Sequence, residues 1–108
     1  MTNLAHKIIA VDFDGTLFEN CWPEIGHPIT RIHSYIKDQQ AKGAKVILWT
    51  CRQGELLEAA VKECAKYGLI FDAVNENLPE VMALYGGDTR KISADEYIDD
   101  KNVFVGYI

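Results

Sequence analysis

Lys7 to Val11 reads KIIAV, a short β-branched apolar run bounded by polar residues, and this predicts a buried strand. Phe18 to His27 carries Gly and Pro without a clear period, so a loop or small flap is expected there. Pro28 suits the first turn of a helix, and Ile29, Ile32 and Ile36 at i, i+3 and i+7 give that helix an apolar stripe, with Gly43 to end it. Lys45 to Trp49 (KVILW) reads as a second buried strand. Gly54 to Tyr67 reads as a second helix, with Leu57, Val61 and Cys64 on one face and Gly68 as its stop. A third short strand is expected over Ile70 to Val74 and a short helix over Leu78 to Tyr85, before the turn at Gly86-Gly87. Glu96 to Ile98 forms a fourth strand, and Val103 to Val105 adds an edge strand within the otherwise unassigned Lys101 to Ile108.

Alternating strands and helices predict the α/β class: a Rossmann-like, three-layer α/β/α domain around a parallel sheet. There is no repeat, low-complexity tract or linker, and 108 residues fit one domain over 1–108. In such sheets ligands collect at the carboxyl ends of the strands. That rule gathers Asp12 and Asp14, Thr50 and Arg52, and Asp99 and Asp100 along one edge.

Composition narrows the partners. Hydrophobic residues make up 48%, enough for a core, and the net charge of -5 disfavours non-specific binding to nucleic acid or an anionic membrane. Cys21, Cys51 and Cys64 are odd in number and form no CxxC pair, so free buried thiols in a reducing cytosol are expected. Met1 to Lys7 is polar and unlike a signal peptide, and no apolar stretch approaches the roughly 20 residues of a membrane span. A cytoplasmic location is expected.

The stretch IIAVDFDGTLF delivers two carboxylates one residue apart at a strand tip. Asp12 or Asp14 alone fits a turn or helix cap. With Asp99 and Asp100, however, four carboxylates on one rim repel one another, and a divalent cation relieves that conflict; all-oxygen ligation suits Mg²⁺. Thr50, after VILW, either caps the following helix or binds an anionic oxygen with its hydroxyl and the adjacent backbone N–H groups. Lys91 supplies the cation that a phosphate-handling site needs, with Arg90 beside it as a rival.

These residues resemble a family. DFDGT looks like the first motif of the haloacid dehalogenase-like (HAD) hydrolases, Thr50 like the second, Lys91 like the third, and YIDD like the fourth. The resemblance implies that Asp12 is a nucleophile forming a phosphoaspartate. It implies that Asp14 protonates the leaving oxygen and then activates water, its backbone carbonyl binding Mg²⁺, and that Thr50 and Lys91 hold the phosphoryl oxygens. An acid at Asp14 fits phosphoester hydrolysis, because the leaving alkoxide needs a proton. In the commoner fourth motif a Gly precedes the ligating Asp, which aligns Asp100 with the direct ligand. Successive side chains of an extended segment point to opposite sides, so Asp99 is expected behind it, on a metal-bound water or on Lys91.

Size sets this chain apart, since neither Phe18 to His27 nor Asn75 to Arg90 is long enough for a folded cap. A HAD-like core without a cap implies a bulky phosphorylated macromolecule as substrate or a homo-oligomer that covers the rim. Small substrates such as nucleotides or sugar phosphates stay open beside phosphorylated ends of nucleic acid. Trp22 in the flap is a candidate substrate contact, Trp49 is expected in the core, and His27 and His33 receive no role. Two other readings compete: a receiver domain and a non-catalytic binding module on the same fold. A receiver carries its acceptor Asp after strand three, where this chain has Asn75, and its adjacent acids after strand one, whereas Asp99-Asp100 come last.

Overall fold

The computed structural model describes residues 6–107. The expectations that rest on Met1 to Ala5 and on Ile108 lie outside it.

β1 (Ile8–Val11) is buried at every position. It lies between β4 (Lys45–Leu48) and β6 (Glu96–Ile98), with β5 (Ala73–Val74) outside β4, so the sheet order is β5-β4-β1-β6. All three pairings are parallel. A strand covered on both faces must be apolar throughout, and that is why IIAV shows no alternation.

α1 (Thr30–Ala41) and α2 (Gly54–Lys66) cover one face, where Ile36, Ala60 and Cys64 pack on Ile9, Val11, Val46 and Leu48. α3 (Pro79–Tyr85) covers the other, where Leu78, Val81 and Ile92 pack on Ile8, Ala10, Ile47 and Ala73. The chain is therefore a mixed α/β fold with a four-stranded parallel sheet and three helices among the described residues.

The segment expected as a loop or flap is an antiparallel hairpin, β2 (Phe18–Cys21) and β3 (Glu24–Pro28). Pro28 consequently ends a strand instead of opening α1, which starts at Thr30. An edge of a two-stranded ribbon tolerates a residue without an N–H.

The third strand is shorter than expected. Ile70 is exposed, and Asp72 accepts the Val46 N–H on its carboxylate (2.8 Å) before β5 begins. Asp95 does the same for the Ile8 N–H (2.7 Å) ahead of β6. These two acids finish the amino edge of the sheet.

Val103 to Val105 does not pair as a strand; a single 3-10 turn covers Val105–Tyr107. Cys21 and Cys51 are exposed, so of the three expected buried thiols only Cys64 is buried, and burial pushes its pKa up to about 12. Among the described residues no helix is long and apolar enough to cross a membrane.

Candidate active site

Because β1, β4 and β6 are parallel, the residues following them emerge at one edge. The Asp12 N–H bonds the Ile98 carbonyl (2.9 Å), and the Trp49 N–H bonds the Val11 carbonyl (2.9 Å), which fixes the three strand tips side by side. Asp12, Asp99 and Asp100 each offer a carboxylate oxygen there, all within 4.8 Å of one another.

The glycine and threonine of DFDGT make this approach possible. Gly15 has φ +83°, and a Cβ on it would lie 2.3 Å from Oδ2 of Asp100. Only a residue without a side chain adopts that backbone freely and leaves room for the carboxylate. Thr16 is buried, and its hydroxyl accepts the Asp100 N–H (3.1 Å). DFDGT thus holds YIDD in place.

The alternation expected for Asp99 and Asp100 does not apply. β6 ends at Ile98, the chain turns, and both residues offer an oxygen to the same cluster. Asp100 also meets the exposed Lys101 ammonium (3.4 Å).

Asp12 bears the cost of this crowding. Burial first, then the charges of Asp99, Asp100 and Asp14, push its pKa up to about 6 against the Phe13 backbone N–H, which works the other way. Three carboxylates this close together are a donor set that a hard dication neutralises. Asp12, Asp99 and Asp100 therefore fit Mg²⁺ by ligand type and proximity.

Four carboxylates were expected to share that crowding; Asp14 is turned out of it. Its two oxygens accept from Arg52, Oδ2 from Nε (2.9 Å) and Oδ1 from Nη2 (2.8 Å). Arg52 is 1% exposed, and its remaining donors reach the carbonyls of Pro23 (Nη1, 3.1 Å) and Glu24 (Nη2, 2.8 Å). Its guanidinium lies over the rings of Phe13 (4.9 Å) and Trp22 (5.1 Å). One side chain after β4 therefore ties Asp14 to the turn of the β2–β3 hairpin. Arg52 was noted in sequence only for its place after a strand. An arginine facing an excess of acids was the available signal, but its partner lies 38 positions away.

Thr50 follows β4. Its N–H bonds Oδ1 of Asn75 (2.8 Å), and its hydroxyl accepts the Arg52 N–H (3.1 Å). Those two backbone N–H groups are therefore spent within the loop instead of facing an anion, which leaves the Thr50 hydroxyl proton and the Cys51 N–H. Asn75 sits at φ 55°, where its amide also reaches the Arg52 carbonyl (3.4 Å). Asparagine tolerates that left-handed backbone better than most residues.

Lys91 is exposed, lines the same cleft as Asp12, and lies 5.4 Å from the centroid of the Tyr97 ring. Arg90 is exposed and does not line that cleft. Trp49, expected in the core, is 37% exposed and lines the cleft, because the sheet face that α3 covers is bare near the strand tips. His33 is buried and donates from Nε2 to the Leu17 carbonyl (2.7 Å).

No protein-family model matches this chain, and no curated protein matches it. A solved structure does: a conserved protein coded by a locus of Bacteroides thetaiotaomicron, 43% identical, with a TM-score of 0.80 over 91% of this chain and 78% of that one. The chain belongs to the same family as that protein.

Proposed function

We propose that this protein is a Mg²⁺-dependent phosphate-monoester hydrolase with a HAD-like core and no cap, working through a phosphoaspartate on Asp12. The observation that carries the reading is the meeting of Asp12, Asp99 and Asp100 within 4.8 Å, at a cleft that Asp12, Asp99 and Lys91 line. The resemblance of DFDGT, Thr50, Lys91 and YIDD to the four motifs supports it. So does the hairpin, which occupies the place of a cap and is too small to close over the rim.

Asp12, Asp99 and Asp100 would hold Mg²⁺, which would supply positive charge against the phosphoryl oxygens. An Asp12 oxygen attacks phosphorus in line, the bond to the leaving oxygen breaks, and Asp14 gives that oxygen its proton. Water then attacks the phosphoaspartate, the bond to Asp12 breaks, and Asp14 takes the water's proton, restoring both groups. The Arg52 fork takes one lone pair of each Asp14 oxygen and leaves the other, to which the transferred proton would bind. The Thr50 hydroxyl and the Lys91 ammonium orient and neutralise the transferring group.

The receiver reading lacks an acceptor. Asn75, at the end of β5, uses its amide to brace Thr50 and Arg52.

The test is turnover of p-nitrophenyl phosphate with and without Mg²⁺. Activity should require the metal and vanish in Asp12→Asn, and mass spectrometry of the phosphoryl adduct, or a beryllofluoride-soaked crystal, should place the adduct on Asp12. An adduct on Asp99 or Asp100 would refute the assignment.

A further inference from the structure

The cleft reaching Asp12 has a volume of about 680 Å³. Its charged lining is Asp12, Asp99 and Lys91, and three aromatic side chains line it as well. Trp49 follows β4, Tyr97 lies within β6, and Phe104 follows β6, with Val103 and Val105 beside it. Tyr97 and Phe104 are 39% and 66% exposed.

These rings are not spare core. Trp49 stands on the strand tip next to Thr50, with its backbone pinned to Val11. Tyr97 is held by its hydroxyl, which donates to the Ile92 carbonyl and accepts the Ala94 N–H. Exposing large rings to water forgoes the stabilisation that their burial gives, and rings lining the cleft beside Asp12 and Lys91 suit a flat apolar body.

Equally telling is how few uncharged polar side chains line the cleft among the described residues. Asn102 is its one amide among them, and the amide nitrogen bonds the Tyr97 carbonyl (3.2 Å). The Tyr97 hydroxyl is likewise engaged. A polyhydroxylated leaving group would lose its water here and find few replacements. A flat ring would lose little and stack. The volume lies within the range of small-ligand pockets.

We infer that the substrates are phosphate monoesters carrying an aromatic or heteroaromatic ring, with phosphate at Asp12 and Lys91 and the ring against Trp49 and Tyr97. This rests on the hydrolase reading above. Two sources share that chemistry, nucleoside monophosphates and aryl phosphates such as phosphotyrosine.

The experiment compares kcat/KM for AMP, phosphotyrosine and ribose 5-phosphate, the last being AMP without its base. At least one ring-bearing ester should exceed ribose 5-phosphate by about tenfold or more, the scale of one stacked ring; which one does so identifies the source. In Trp49→Ala that ratio should fall toward one. Because the ratio is taken within a single protein, partial misfolding cancels. Equal rates for all three esters in the wild-type protein would overturn the inference and leave the hydrolase reading standing. If no ester is turned over, calorimetry on Asp12→Asn decides: tighter binding of AMP or phosphotyrosine than of ribose 5-phosphate supports the ring site while the hydrolase reading falls, and equal binding overturns both.

Discussion

Replacing Arg52 by Met removes the fork and leaves a side chain of similar length. The guanidinium is almost completely buried and makes four hydrogen bonds, two of them to the Asp14 carboxylate. Breaking a buried ion pair by removing one partner costs about 3–5 kcal/mol. Here the Asp14 side chain is 19% exposed, so water reaches it, and the Pro23 and Glu24 carbonyls lie on exposed residues that can rehydrate. Those two facts place the loss near the lower end, about 3 kcal/mol. For a chain of this size that lowers Tm by about 12 °C or more. Arg52→Lys should recover little, since an ammonium cannot bridge two carboxylate oxygens and two carbonyls in one plane. Urea melts of Arg52→Met, Asp14→Asn and the double variant measure the coupling, and the double variant should lose clearly less than the sum of the singles. If Arg52→Met melts within about 0.5 kcal/mol of wild type, the scale of a neutral surface change, the fork is not a structural tie between Asp14 and the hairpin.

Gly15→Ala should destabilise the fold by about 1 kcal/mol or more through its positive φ. It should also weaken Mg²⁺ activation by displacing Asp100, and an unchanged Mg²⁺ titration would contradict the packing described. Mg²⁺ at 100 times its Kd should stabilise the wild-type protein by about 2.7 kcal/mol, read as a rise in Tm. A rise that survives Asp99→Asn with Asp100→Asn would place the ion elsewhere. Burial, with a smaller contribution from Lys37 and against the Leu17 carbonyl, lowers the pKa of His33. Below about pH 6.5 the unfolded chain therefore takes up a proton that the folded one does not. Stability should fall as pH drops through that value and level off once the folded histidine titrates as well. His33→Gln should remove that part of the slope in urea melts at pH 7 and 5, and parallel slopes would show that His33 does not contribute.

The strands and helices that build the sheet are legible in the chain because their signals are local. IIAV and KVIL announce burial on both faces, the apolar spacing in α2 marks one covered stripe, and strand tips ending in DFD and IDD place the acids at a common edge once the strands run parallel. What neighbouring residues cannot encode is which distant group each side chain will meet. Asp14 looked like a fourth member of the acidic cluster until the loop after β4 brought Arg52 to it from 38 positions away. Trp49 carries the signature of a buried strand residue, yet it is exposed, because burial depends on which separate elements pack over the strand tip. Pro28 fits both a helix start and an edge strand, and pairing with Phe18 decides between them. Local pattern settles which backbone forms and which face is apolar, because those depend on neighbours in sequence. Charge partners and exposure at the rim depend on the packing of separate elements, and the tertiary structure alone decided them.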